Sequence, residues 1–264
     1  MRVLIGTDIE GVAGVVSFAS QTGADTRYYE AAKKLLTAEV NAAVEGLLEA
    51  GADEILVVDG HGCGAIDFES LHPQAKLLHG RPVCAQDIRR SVYASYDVTV
   101  MIGQHAMAGI QTGNLNHTQS SKTIDYYKLN GRKIGEIAQW ALHAGALGIP
   151  LIFLSGDEAA CQEAKELIGD IETASVKQGL GRNSAISLSA QAAADKIRIG
   201  IATALKKHII QPVKPFVLNG PFVLEKRFFN TDSVDAVSAD PRYKRIDSQT
   251  VQITSNNILD IIYA

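Results

Sequence analysis

The stretch that decides the fold is RVLIGTDIEG, from Arg2 to Gly11. Its apolar run, Val3 to Ile5, is typical of a strand buried on both faces. Two carboxylates, Asp8 and Glu10, follow this run directly. In an open parallel sheet the carboxyl ends of the strands form the edge at which ligands bind. We therefore expect the two carboxylates to lie at such an edge.

Two later stretches repeat this arrangement of an apolar strand followed by polar side chains. EILVVDGHG begins at Glu54 and ends with Asp59 and His61, and VTVMIGQHA begins at Val98 and ends with His105. The carboxyl ends of parallel strands share one edge of a sheet. The sequence therefore predicts that Asp, Glu and His side chains from three strands meet there.

Strand patterns alternate with helical patterns over most of the chain, which predicts an α/β fold with a mostly parallel central sheet flanked by helices. Helices are predicted at about residues 27–50, 86–95, 135–146 and 158–167, and Asn130-Gly131 predicts a hairpin turn. From residue 173 the pattern changes to a loop with Lys177, a helix at 189–207 and two β-like pieces. We expect one domain over residues 1–264, with a core at about 1–175 and a smaller C-terminal α+β lobe at about 176–264.

Composition limits the partners and the compartment. The 264 residues carry a net charge of −4, so nothing in the bulk charge favours nucleic acid or an anionic membrane surface. The three cysteines have no CxxC spacing and are odd in number, which argues against a disulfide framework. With no signal-peptide pattern and no apolar run of membrane-spanning length, a cytoplasmic protein that acts on a small molecule or peptide is expected.

The polar residues at the strand ends form a set that metal ions accept. Each alone is compatible with a solvated turn or a core histidine, but together they offer the mixed oxygen and nitrogen ligands of zinc, manganese or iron. Carboxylates this numerous would repel one another without cations, which favours two metal ions over one. Asp8 is the natural bridging ligand because a carboxylate has two oxygens. The candidate metal ligands are Asp8, Glu10, His61, His105 and Glu136.

Three further residues have two interpretations each. His117 is either a loop residue bonded to backbone or a general acid/base beside the metals. Lys177 and Arg182 flank Gly179 and Gly181 and are either surface charges or groups that hold a substrate carboxylate. The sequence has no GxGxxG after a strand, no P-loop, no GxSxG and no HExxH, so dinucleotide, P-loop, serine-hydrolase and HExxH-zinc interpretations have little support.

The motifs resemble, in order over about residues 1–186, the binuclear zinc D-aminopeptidases of the dipeptide-transport-operon type. The matching motifs are D-x-E-G at 8–11, D-x-H at 59–61, G-x-H-A at 103–106, His117, N-x-R-x-x-G-E at 130–136, S-G-D at 155–157 and V-K-Q at 176–178. The resemblance implies that Asp8, Glu10, His61, His105 and Glu136 bind two zinc ions (Zn2+) per subunit, with Asp8 shared.

The resemblance also implies that His117 is the catalytic histidine. In that family the corresponding histidine is called a nucleophile. Zinc lowers the pKa of bound water to about 7, so we favour hydroxide as the nucleophile and His117 as a proton shuttle or oxyanion stabiliser. Family members form ring-stacked homodecamers that admit short peptides, so a homo-oligomer is expected.

The leading hypothesis is therefore a dizinc aminopeptidase that removes an N-terminal residue, of D configuration such as D-Ala, from short peptides. Two alternatives stay open at this stage. One is a two-metal hydrolase of L-peptides or phosphoesters, because two-metal sites serve both kinds of bond. The other is a non-catalytic protein that binds a small molecule, because fold alone does not fix function.

Overall fold

The computed structural model describes residues 1–264, which form twelve strands and seven α-helices. The strands are β1 (Arg2–Thr7), β2 (Glu54–Val58), β3 (Ala75–Leu78), β4 (Val98–Gln104), β5 (Ile124–Leu129), β6 (Arg132–Ile134), β7 (Leu151–Asp157), β8 (Glu172–Gly181), β9 (Ser184–Ser187), β10 (Phe222–Phe228), β11 (Lys244–Arg245) and β12 (Thr250–Ser255). The helices are α1 (Phe18–Gln21), α2 (Tyr29–Glu49), α3 (Gln86–Tyr93), α4 (Glu136–Ala146), α5 (Glu158–Ile168), α6 (Ala190–Ile210) and α7 (Thr231–Val237).

Seven strands form the main sheet, in the order β3-β2-β1-β4-β7-β8-β9. All neighbours pair in parallel except β8 and β9, which are antiparallel. The strand that follows the initial methionine therefore lies near the centre of the sheet, between β2 and β4. The predicted α/β fold with a mostly parallel sheet is confirmed.

Side chains of β1 alternate between two apolar layers, which explains its continuous apolar run. Val3 and Ile5 join the largest core cluster, together with buried residues of α2 and α6. Leu4 points to the opposite face, where Tyr93 of α3 and Ala144 of α4 belong to its cluster. Helices thus cover both faces of the sheet, and its carboxyl edge is left to the loops.

A second, antiparallel sheet has the order β11-β12-β10-β5-β6. Its β5–β6 hairpin turns at Asn130 (φ 49°) and Gly131 (φ 83°), as the sequence predicts. The hairpin pairs with β10, so this sheet combines residues from both sides of position 175. Conversely, β8, β9 and α6 belong to the main sheet and its helical layer. The two sheets therefore do not divide the chain at residue 175.

The prediction of a loop around Lys177 is wrong, because these residues form β8, which pairs with both β7 and β9.

None of the helices combines the length and the apolar character that crossing a bilayer requires. The three cysteines are free, in agreement with the absence of a disulfide framework.

Candidate metal centre

The ends of β1 and β4 approach each other so closely that only glycine fits at two positions. A Cβ atom on Gly11 would clash with the backbone oxygen of Gln104, and one on Gly103 would clash with that of Asp8. Gly103 also has a φ of +78°, a conformation that favours glycine. The Gly11 N–H donates to Gly103 O at 2.8 Å. These glycines bring the loop with Asp8 and Glu10 beside the loop with His105.

Asp8, Glu10 and His61 meet at the end of β1. The three side chains are nearly buried, with 8%, 4% and 11% of their surface exposed. His61 Nδ1 lies 3.1 Å from Asp8 Oδ1 and 3.2 Å from Glu10 Oε2. The sequence-based expectation that β1 and β2 deliver these residues to one place therefore agrees with the geometry.

His105 and Glu136 adjoin the other oxygen of Asp8. His105 Nε2 lies 3.4 Å from Asp8 Oδ2 and 3.5 Å from Glu136 Oε1. Glu136 opens α4, directly after the β5–β6 hairpin, so the second sheet contributes to the placement of this carboxylate. The two oxygens of Asp8 thus face two different histidines.

His117 lies next to this second group. Its Nε2 is 3.7 Å from Glu136 Oε1, and its ring stacks on that of His105 at a centroid distance of 4.0 Å. Phe18 of α1 packs edge-on against the other side of the ring at 5.5 Å. All six candidate residues named from the sequence therefore lie in one cluster.

Each of the three histidines of the cluster donates a hydrogen bond from one ring N–H to a backbone carbonyl oxygen. The pairs are His61 Nε2 with Thr22 O at 2.7 Å, His105 Nδ1 with Ala106 O at 3.0 Å and His117 Nδ1 with Leu115 O at 3.0 Å. A carbonyl oxygen only accepts, so those nitrogens carry hydrogen. In the neutral imidazoles, the form that binds a metal, the lone pairs therefore lie on the nitrogens that face the carboxylates, which is the orientation of metal-binding histidines.

Two buried atoms of the cluster have no hydrogen-bond partner, namely Glu10 Oε2 and His105 Nε2. Buried polar atoms without partners are rare in native proteins and costly to leave unpaired. Both atoms face into the cluster. The polar atoms around them are carboxylate oxygens and imidazole nitrogens, which are the ligand atoms that zinc binds. The residues present therefore fit a metal ion. Two groups of three residues have ligand atoms, one from each residue, that lie within 4.8 Å of one another. These groups are Asp8, Glu10 and His105, and His105, His117 and Glu136.

The charges of the cluster shift its pKa values in opposite directions. Burial opposes the ionisation of Asp8, but His105 and His61 hold the pKa of its carboxyl well below the ordinary value. Burial would lower the pKa of His61, but Glu10 and Asp8 raise it to about 12. The pKa of His117 is lowered, first by burial and then by the charge of His105. The cluster thus attracts positive charge at His61, whereas His117 stays neutral at neutral pH.

The cluster forms one end of a cleft of about 640 Å³. Such a volume lies within the range of about 300–1,000 Å³ that is usual for small-molecule sites. Asp8, Glu10, His61, His117 and Glu136 line this end, and His105 lies beneath them with its side chain fully buried. The cleft continues along α4, where its lining includes residues that the sequence did not single out: Arg89, Tyr93, Trp140, His143 and Tyr263.

Lys177 and Arg182 do not reach this cleft. Lys177 is 2% exposed, and its ammonium donates to Glu10 O, Val15 O and Asn114 Oδ1, the last at 2.8 Å. Arg182 lies over the ring of Phe18 and donates to backbone oxygens of Asn116 and Ser121. The interpretation that they hold a substrate carboxylate in this cleft is wrong, because neither residue lines it.

Two supporting residues were missed from the sequence. The Gln119 N–H donates to Glu136 Oε1 at 2.7 Å from a backbone with φ of 63°, and Thr22 O accepts from His61. Both act through backbone atoms, which any residue type carries, so no local sequence signal identifies them.

The fold and the cluster agree with the comparison to known families. Residues 1–264 match the model of the D-aminopeptidase family, peptidase family M55. The chain belongs to this family, and it is accordingly a peptidase, a class of hydrolase.

A curated protein and a solved structure, both from Bacillus subtilis, are similar to this chain over almost their whole length. A D-aminopeptidase of strain 168 is 28% identical over 268 residues, which cover 100% of this chain and 95% of that protein. A solved structure, described as the zinc-dependent D-aminopeptidase DppA, a self-compartmentalizing protease, superposes with a TM-score of 0.88 at 27% identity. That superposition covers 99% of this chain and 94% of the other.

Proposed function

We propose that this chain is a dizinc aminopeptidase that hydrolyses the N-terminal residue, of D configuration such as D-Ala, from short peptides. The observation that carries the proposal is the sharing of Asp8. Its Oδ1 faces His61 and its Oδ2 faces His105, so one carboxylate adjoins two sets of ligands. Membership of the D-aminopeptidase family supports the D configuration, and the zinc dependence of DppA supports the metal.

The contacts divide the ligands into two sets. Asp8 Oδ1, Glu10 Oε2 and His61 Nδ1 would hold one zinc ion, and Asp8 Oδ2, His105 Nε2 and Glu136 Oε1 would hold the other. When bound, zinc supplies Lewis acidity for the scissile carbonyl and lowers the pKa of a water molecule.

His117 performs the proton transfers. Leu115 O fixes the proton on Nδ1, so Nε2 carries the lone pair and lines the cleft. The lowered pKa keeps this imidazole unprotonated at neutral pH, which allows Nε2 to accept a proton from attacking water. The same atom then delivers the proton to the leaving amine. Phe18 and His105 hold the ring on both faces and fix its orientation.

Metal analysis combined with a chirality assay tests the proposal. We expect two zinc ions per chain by mass spectrometry of the purified protein, and hydrolysis of D-alanyl amides well above that of L-alanyl amides and aryl phosphates. Chelation should abolish the activity, and added zinc should restore it. Two bound zinc ions without release from D-alanyl amides would overturn the aminopeptidase assignment, and faster release from an L-amide or a phosphate would favour those substrates instead.

The description of DppA as self-compartmentalizing leads us to propose a homo-oligomer, specifically a decamer, for this chain as well. Large apolar side chains at the end of α6 and beyond it are exposed, among them Ile210 at 85% and Val217 at 60%. Exposed apolar patches often mark protein contacts. Light scattering should give ten times the 28.2 kDa of one chain. A mass of one chain would contradict the proposal.

A further inference from the structure

The part of the cleft that is lined by Arg89 is basic and aromatic, in contrast to the part that is lined by the acidic metal ligands. Arg89 lies on α3, and the aromatic side chains around this part come from α3, α4 and the C-terminal segment: Tyr93, Trp140 and Tyr263. His143 also lines it. The two parts therefore present opposite charges to one ligand.

Arg89 has no acceptor for its guanidinium within the protein. Its Nε is buried and forms no hydrogen bond, and no Asp or Glu oxygen lies within 4.0 Å of its nitrogens. A buried guanidinium donor without a partner is unfavourable, so this group is suited to an acceptor supplied from outside.

The other cations near the cleft differ from Arg89. Arg81 lines the cleft, but its guanidinium donates to the backbone oxygens of Asp59, His61 and Gly62. Arg90, the neighbour on α3, donates to Leu259 O. Lys122 lines the cleft but is exposed to solvent, which satisfies its ammonium. Arg89 alone combines a buried donor, a place in the cleft and no partner.

Two titratable side chains that line the cleft with Arg89, His143 and Tyr93, do not compete with a ligand for its charge. His143 is neutral at neutral pH because burial, followed by the charges of Arg89 and Arg90, lowers its pKa to about 4. Burial raises the pKa of Tyr93 to about 12, so this phenol is also uncharged. A carboxylate entering this part of the cleft would meet the positive charge of Arg89 in a lining that also contains the rings of Tyr93, Trp140 and Tyr263.

We propose that Arg89 binds the C-terminal carboxylate of the substrate. The inference rests on the proposed function, because it places the N-terminal residue at the metal end and the C-terminus at the arginine end of the same cleft. A planar guanidinium pairs with a carboxylate through two parallel hydrogen bonds. The cleft then selects short peptides, because both termini must fit within its 640 Å³.

A pair of substrates that differ only at the C-terminus tests this subsite. We compare D-alanyl-D-alanine with D-alanyl-D-alaninamide on the zinc-loaded protein. Wild type should favour the acid by about tenfold or more in kcat/KM, mainly through a lower KM, since a charged hydrogen-bonded pair is lost with the amide. Arg89→Gln should bring the ratio of acid to amide close to one, and Arg89→Lys should restore part of it.

Arg90→Gln is the matched control, because it removes the neighbouring guanidinium that faces Leu259 rather than the cleft. It should retain the preference for the acid. Equal kcat/KM for acid and amide in wild type, or an unchanged preference in Arg89→Gln, would overturn the subsite while amide hydrolysis still supports the aminopeptidase.

Calorimetric titration of the D-alanyl dipeptide supplies a readout that does not depend on turnover when the wild-type and Arg89→Gln proteins both also carry His117→Ala. In this background the protein with Arg89 should bind the acid more tightly than the one with Arg89→Gln does, and the two should bind the amide alike. If neither substrate is hydrolysed, the proposed function fails, and this titration still decides the role of Arg89. Equal affinity of wild type and Arg89→Gln for the acid would overturn that role.

Discussion

His105 and His117 lie with their imidazole rings stacked at 4.0 Å and inclined by only 14°. His105 is fully buried and its free nitrogen faces two carboxylates, whereas His117 reaches the cleft. The stack therefore joins a candidate metal ligand to a candidate proton carrier. The two histidines should respond differently to substitution.

The first prediction concerns His117. Because this residue moves protons but is not among the five proposed ligands, His117→Ala should keep two zinc ions and lose about 10²–10⁴-fold in kcat. Metal content and kcat are measured on the same preparation. His79→Ala, which removes an imidazole that stacks on Phe68 outside the cleft, is the control and should retain activity. Loss of zinc from His117→Ala would instead make His117 a ligand.

The second prediction concerns the shared carboxylate. Asp8→Asn should lose both zinc ions because Asp8 adjoins both ligand sets, whereas Glu136→Gln should lose one. Zinc raises the melting temperature of a protein that binds it only when folded. We therefore expect this rise in wild type and in the control Asp67→Asn, but not in Asp8→Asn. Asp8→Asn with two bound zinc ions would refute the shared role.

The third prediction concerns Lys177. Its ammonium connects the segment of Glu10 and Val15 to Asn114, which lies one residue before Leu115 and three before His117. Lys177→Met leaves three buried acceptors without a partner, and each of them lowers the free energy of unfolding by about 1–3 kcal/mol. It should weaken zinc binding as well as stability, because the Glu10 segment is released.

Lys226 offers a matched control for Lys177. It is also buried, but it lies in the second sheet and donates to Tyr243 and to the backbone oxygen of Ala264. Lys226→Met should lower the melting temperature without changing zinc affinity. If both variants bind zinc like wild type, Lys177 supports only the fold.

The fourth prediction concerns the pH dependence of stability at Glu39. Burial raises the pKa of this carboxyl from 4.5 to about 8, although the Ala13 N–H and Lys177 oppose the shift. Between these values the folded state keeps a proton that the unfolded state releases, so stability falls as pH rises from 4.5 to about 8 and then levels.

Glu39→Gln should remove this slope, because the amide does not titrate. The melting temperature of the variant minus that of wild type should grow over the same pH range. A difference that is constant from pH 5 to pH 8 would show that the carboxyl of Glu39 does not hold its proton in the folded state.

Local patterns predicted the main sheet because β1, β2, β4 and β7 are apolar on both faces and each ends in, or is followed by, glycine and polar residues. They failed at Lys177, since its glycines and polar neighbours suggested a loop. Burial of this lysine depends on three oxygens from other segments. The second sheet was only partly predictable, because β5 pairs with β10 about 95 residues later and local patterns carry no such information.

The candidate ligands were predictable because strand ends of a parallel sheet share an edge, so Asp8, His61 and His105 had to be neighbours. Glu136 was less accessible, since it lies on a helix whose start depends on the hairpin before it. It was named only as a further carboxylate downstream, and the family resemblance then supported it. Arg89 could not be found from sequence. Its significance is that it lacks a partner, which only the three-dimensional arrangement reveals.

The contact of Gly11 with Gln104 and of Gly103 with Asp8 has a consequence for engineering the metal preference. The two loops touch backbone to backbone, so neither has room to move without displacing the other. Redesign of the coordination sphere would therefore have to keep the backbone of both loops as one rigid body and exchange only side chains. Lengthening one loop alone would displace the ligand side chains of the other.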